Sequence, residues 1–257
     1  MKMAYFFRGH EDGYRFPSFS LIHVLLVLLL LAGAYVLFKY RDEIRANRRW
    51  EKGVKLSFMT LIVLDQVLYI GFCFFSRPDG LQQALPLYTC RAALYTGFLA
   101  LLTDHKVFKA LTVYWGLFGG ILPLVYPDMM AYSWPHFTNI HYFLLHFLVF
   151  WMANYFLLVE GYDSSRSNSR LLYSLVNAFL LLALGVNLYV KGNYAYLMEA
   201  PLLKTFFLEW PKLLYWLFTF SVYNALVWCV QQMCVKILIP QFLPEESSKA
   251  DPLKQYH

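Results

Sequence analysis

Five side chains that can do chemistry interrupt the long apolar runs of this 257-residue chain: Cys90, His141, His146, Asp65 and Arg91. A thiol beside an imidazole is the minimal equipment for acyl transfer. The histidine takes the thiol proton, the thiolate attacks a carbonyl, and an acyl thioester forms. Such groups are costly inside a bilayer unless they pair or work. Counted from the ends of the apolar runs at about 1.5 Å per residue, Cys90 lies on the order of 8 Å below one boundary. By the same count His141 and His146 lie roughly 3 and 10 Å below it. These depths allow a shared site opening toward that face, with Cys90 a candidate nucleophile and His146 or His141 a candidate base. Cys90 also forms a small-residue face with Ala93 and Gly97, which suits close helix packing.

The two histidines are five residues apart, so they point to different sectors of their helix and make no i,i+4 metal pair. His146 shares a face with Tyr142 and Asn154, and His141 is shallow enough to be wet. Asp65 and Arg91 are expected to form a structural ion pair, because either charge left alone in hydrocarbon would cost several kcal/mol. Arg91 can instead hold a lipid phosphate through its planar fork, oriented by Tyr88 and Tyr95. With His141, Asn193 and Tyr194, the pair Arg91 and Tyr88 completes the candidate substrate-binding set. The cysteines at positions 73, 90, 229 and 234 show no C-x-x-C spacing. Neither a disulfide framework nor a zinc site is expected, and no cofactor is implied.

The elements that must position these residues are apolar. Hydrophobic residues make up 59% of the chain and charged ones 15%, against about 25% charged in soluble domains. About 20 apolar residues suffice for a helix to cross a bilayer core. Seven stretches qualify: Ser20–Phe38, Leu56–Phe75, Leu85–Leu102, Phe108–Tyr126, Asn139–Val159, Leu171–Val190 and Leu213–Leu238. Backbone amides must be paired in hydrocarbon, so these are read as helices. The expected fold is all-α, a polytopic bundle of seven transmembrane helices forming one domain over residues 1–239, followed by a flexible cytoplasmic tail over 240–257.

Orientation follows from the basic residues of the short loops. Lys39, Arg41, Arg45, Arg48, Arg49, Lys52 and Lys55 crowd the loop after the first stretch. Lys106, Lys109, Arg166, Arg170, Lys236, Lys249 and Lys254 fall on the same side. The N-terminus is thus placed outside and the C-terminus in the cytoplasm of a multi-pass protein of the cell membrane. The net charge of +6 is read as anchoring against anionic lipid, so membrane lipids are the expected partners and nucleic acid is not. Whether the chain forms a homo-oligomer stays open. Gly116-x-x-x-Gly120 and Pro123 mark a tightly packed, kinked fourth helix. His136 is a weaker candidate base near the mouth, and Leu197–Leu208 is expected to be an interfacial or re-entrant helix.

Three blocks give the chain a resemblance. They are Leu85-Pro86-Leu87-Tyr88-Thr89-Cys90-Arg91; then Tyr114-Trp115-Gly116 through Gly120 with Tyr126-Pro127-Asp128, Pro135-His136-Phe137 and His146; then Gly192 through Pro201 with Trp210-Pro211 and Tyr215. In these the chain resembles the bacterial YwaF-like family of integral membrane proteins, which is distantly similar to vertebrate transmembrane ether-phospholipid acyltransferases. The resemblance implies lipid acyl transfer through a membrane cysteine and histidine, here Cys90 and His146, in a bacterial plasma membrane. A non-catalytic lipid or small-solute carrier gated by Asp65 and Arg91, or an envelope scaffold, are the alternatives that use the same residues.

Overall fold

The computed structural model describes residues 3–162 and 169–234, and every regular element among them is helical. Seven principal helices follow in order. They are α1 (Leu21–Lys39), α2 (Arg48–Ser76), α3 (Thr89–Thr103), α4 (Lys106–Val125), α5 (Phe137–Asn154), α6 (Ser169–Val190) and α7 (Lys212–Met233). The last turn of α5 widens into a π-helix over Tyr155–Val159. Six of the seven are long and apolar enough to cross a membrane, α3 being the exception. The expected tail, the last turn of the seventh stretch and Arg166 lie outside the described residues.

The third expected span is shortened for a local reason. Pro86 lacks an amide hydrogen and biases the residue before it toward extended backbone. Leu85 accordingly has ψ 137° and Tyr88 ψ 138°, and the helix starts only at Thr89. Its 15 residues rise about 22 Å. A non-helical stretch of this kind is tolerated at depth only when protein surrounds it. Here Leu87 is buried and Leu85 and Tyr88 are partly so, while Pro86 is exposed; in the helix that follows, Ala93, Leu94 and Ala100 are almost wholly buried.

Helices α3, α4 and α5 form the core. Gly116 and Gly120 let α4 lie directly on α5: a Cβ at Gly116 would stand 2.8 Å from the Val149 carbonyl oxygen, and one at Gly120 would stand 2.6 Å from the Phe150 Cβ. Helix α1 is applied to the outside of α5. It buries a seam of His23, Leu30, Leu37 and then Ile44 at seven-residue spacing, and Gly33 receives the Trp151 ring. Trp151 Nε1 donates to the Leu30 carbonyl at 2.8 Å. The rest of α1 exposes leucines and valines, as a lipid-facing surface does. On the far side, Asn177 of α6 and Asn224 of α7 exchange amide hydrogen bonds at 2.9 and 3.0 Å.

The N-terminal segment and the connections over 77–88, 126–136 and 191–211 meet at one end of the bundle. At the other end Glu160 bridges Lys55 at 2.7 Å and Lys109, while Arg45 donates to the carbonyls of Leu158 and Val159 at the end of the π-helix. Lys55 and Lys109 are thus neutralised by protein, and Asp42 pairs with Arg41 and Arg45.

The first end is closed by a polar cap. Arg77 forks onto Asp79 at 2.6 and 2.9 Å and reaches Glu11 and the Tyr132 hydroxyl, each at 2.8 Å. This partnership raises the Arg77 pKa and lowers that of Asp79. Asp12 accepts from the Ser133 hydroxyl at 2.6 Å and from Arg8 at 2.7 Å. These two bonds hold its carboxyl below the usual range, the serine having the larger effect. Beneath them Tyr69, Phe72, Cys73, Tyr132 and Phe137 form a second apolar cluster.

The expected helix over Leu197–Leu208 is not formed. Tyr194–Tyr196 make a single 3₁₀ turn and only Lys204–Leu208 are α-helical. The Asn193 carboxamide takes the amide hydrogens of Met198 and Glu199 at 3.0 Å each. It thereby satisfies donors that a helix would need, and Pro201 supplies none.

Candidate functional site

Beneath the cap a cavity of about 330 Å³ opens between α3, α4, α5 and the 193–196 turn. Cys90, Arg91, Tyr88, His141, His146 and Asn193 all line it. Of the predicted site residues, Tyr194 and Asp65 stand behind the wall.

Cys90 is the second residue of α3, where the first amides of a helix are unpaired. A helix starting at Leu85 would bury Cys90 a full turn inside it; Pro86 delays the start to Thr89. The side chain is half-buried, and its open side is the cavity.

His146 sits on α5 with its Nδ1 2.6 Å from the Tyr142 carbonyl. A carbonyl only accepts, so Nδ1 carries the hydrogen and Nε2 keeps its lone pair. The Tyr142 ring lies 4.5 Å from the imidazole. Its hydroxyl donates to the Pro123 carbonyl at 2.8 Å, which fixes the kinked end of α4 against α5.

The expected Asp65–Arg91 ion pair is not formed. Asp65 faces His141 instead, with Nδ1 at 2.9 and 3.0 Å from its two oxygens. Gln66 donates to the same carboxylate at 2.8 Å and accepts from the Tyr95 hydroxyl at 2.8 Å. Asp65 lies eleven residues before the end of α2, and His141 four residues after the start of α5. They meet because α2 continues past them to Ser76, with Phe72 packed against Tyr132 and Phe137. His141 is buried, stacked on Tyr69 with centroids 3.8 Å apart.

Arg91 spends its guanidinium on the chain just before it. It donates to the carbonyls of Gln83 (2.6 Å), Ala84 (2.8 Å) and Leu85 (2.9 Å), and it lies 4.9 Å over the Tyr69 ring. It is only 3% exposed and has no carboxylate partner among the described residues. The guanidinium therefore fixes the Pro86 loop that delivers Cys90, and its fork is not turned to a phosphate.

Asn193 and Tyr194 are likewise committed to structure. Asn193 holds the 193–199 loop as described above. Tyr194 is fully buried, donates to the Gln82 carbonyl, and packs edge-on against Tyr88 at 5.2 Å. His23 and His136 lie away from the cavity. His23 ties α1 to the Leu124 carbonyl. His136 bonds Thr138 at 2.8 Å and the Arg8 carbonyl at 3.0 Å, and burial lowers its pKa.

Sequence reasoning missed Gly119 and Tyr196. Gly119 stands inside the Gly116-x-x-x-Gly120 packing motif, yet it lines the cavity, and a Cβ there would meet nothing within 4 Å. Its register one residue before Gly120, on a different face of α4, is the signal that separates the two. Tyr196 roofs the mouth with its hydroxyl 3.2 Å from Asp128. Ala195 and Tyr196 both have φ 52°, a left-handed conformation that costs side-chain-bearing residues about 1–2 kcal/mol each. It is held by the Tyr215 hydroxyl on the Tyr196 carbonyl at 2.6 Å and by Tyr223 on that of Ala195 at 3.3 Å.

Fold and cavity together define a multi-pass helical membrane protein with a polar site enclosed near one end. Residues 16–231 match the model of the TMEM164 family, and the chain belongs to that family. No curated protein and no solved structure matches it.

Proposed function

We propose that the protein is a membrane-embedded acyltransferase or transacylase acting on lipids, with Cys90 as nucleophile and His146 as base. One observation carries the reading: a thiol at a helix N-terminus and an imidazole with a fixed Nε2 lone pair line one cavity. Binding would hold an acyl carbonyl over Cys90. His146 Nε2 would take the thiol proton as the sulfur attacks, then return it to the departing oxygen. The open space at Gly119 would leave room for an acyl chain.

Arg91 and Tyr88 act in this reading by fixing the loop before Cys90 rather than by gripping a headgroup. The carrier alternative loses support, since its gate required Asp65 and Arg91 to pair. The test uses purified protein and phosphatidylcholine vesicles carrying an alkyne-tagged acyl chain. A tagged, hydroxylamine-labile adduct should map to Cys90. Absence of any such adduct overturns the thioester mechanism.

We place the protein in a bacterial plasma membrane with seven crossings and the capped end outside. The family match encloses all three blocks that carry the bacterial likeness, and the unpaired basic residues gather at the opposite end. Single cysteines at Asn47 and Asp128 should label from opposite faces of sealed vesicles, and labelling from one face would reject this topology.

A further inference from the structure

The mechanism above uses one histidine, yet the same cavity holds a second that is held by a stronger partner. His141 presents Nδ1 to both oxygens of Asp65 at 2.9 and 3.0 Å. The Asp65 side chain is 1% exposed. Gln66 fills a further acceptor site on this carboxylate and is itself held by Tyr95. The ring is clamped flat on Tyr69. A carboxylate accepts, so Nδ1 carries a hydrogen, and in the neutral ring Nε2 carries the lone pair, on a residue that lines the cavity. This is the arrangement by which a buried acid orients a catalytic imidazole and stabilises its protonated form. Leaving a carboxylate in this apolar surrounding merely to pack two helices would be expensive.

His141 and His146 are five positions apart on α5, hence about 140° apart around the axis and some 7.5 Å along it. Their Nε2 atoms therefore approach the cavity from different directions. A thioester carbonyl is planar and open on two faces, so two bases can serve the two halves of a transfer.

We propose that His141, oriented by Asp65, is the base for the acyl acceptor, a hydroxyl-bearing lipid or water, while His146 serves the Cys90 thiol. This deepens the acyltransferase reading and rests on it. In the second half-reaction the acceptor O–H gives its proton to His141 Nε2 as its oxygen bonds the acyl carbon. The C–S bond breaks, and the departing sulfur takes that proton back as a thiol. Atoms and charge balance with no further reagent. His141 is then a catalytic residue and Asp65 a positioning residue.

The experiment uses the full-length protein in detergent with p-nitrophenyl myristate as acyl donor and lysophosphatidylethanolamine as acceptor. Nitrophenol release reports acylation, and intact mass reports the myristoyl adduct. His141→Gln should keep the burst of nitrophenol, hold the adduct on Cys90, and slow turnover by about 10²-fold or more. His146→Gln should lose the burst. Asp65→Asn should behave as His141→Gln does. An asparagine amide donates to Nδ1, which moves the imidazole hydrogen to Nε2 and removes the lone pair there; a purely structural effect would not make an adduct accumulate. Thr219→Val, on α7 away from this cluster, should retain turnover. If His141→Gln and Asp65→Asn turn over normally, or lose the burst as His146→Gln does, the division of labour is wrong while the thioester reading stands. If the wild type and every variant lack an adduct on Cys90, both fall.

Discussion

Replacing Cys90 by alanine is expected to lower acyl transfer by about 10³-fold or more while the fold persists. In the proposed mechanism the nucleophile would form the covalent bond on which both half-reactions depend, so none of the remaining residues could stand in for it. The thiol is half-buried with its free side in the cavity, so its removal leaves no new void in the core and costs on the order of 1 kcal/mol at most. Turnover with a lysophospholipid acceptor measures the first effect, and a denaturation midpoint in detergent the second. Cys73 provides the contrast: it is fully buried in the cap cluster, away from the cavity. Cys73→Ala should shift the midpoint and spare turnover. Undiminished turnover in Cys90→Ala would end the acyl-enzyme mechanism.

Arg91→Gln should have the largest effect on stability, about 3–5 kcal/mol, as when one partner of a buried charged contact is removed. Three carbonyls, of Gln83, Ala84 and Leu85, depend on this guanidinium. Each one left unpaired in a buried site costs about 1–3 kcal/mol, and a shorter amide reaches one of them at best. The loop they belong to begins the helix that carries Cys90, so the same change should blunt that thiol. In the wild type a membrane-permeant maleimide should modify Cys90 faster than Cys73, Cys229 or Cys234, and Arg91→Gln should erase the difference. Unchanged stability and unchanged labelling would show that the Pro86 loop holds itself.

How much of the site was legible can be judged from single residues. Cys90 and His146 were read as site residues from type and depth, and they line one cavity. Arg91 and Asp65 were also recognised as unusual, but each was given the wrong partner. Burial of a charge announces that a partner exists, and helical periodicity does not name it. For Arg91 the partners are main-chain carbonyls, which every residue carries and no sequence pattern marks. For Asp65 the partner is His141, chosen by how far α2 extends past the start of α5. Asn193 and Tyr194 were read as headgroup contacts, yet their polar groups are consumed by the loop they build.

The sequence by itself determined that this is a helical membrane protein, because hydrocarbon demands internally paired backbone and about 20 apolar residues per crossing, and both demands are local. The tertiary structure decided the rest: that Pro86 delays α3 and puts Cys90 at its N-terminus, that Asp65 orients His141, and that Gly119 faces open space while Gly120 meets Phe150. A helix fixes height and azimuth along its own axis, but which neighbour stands at that azimuth is settled only when all the helices pack.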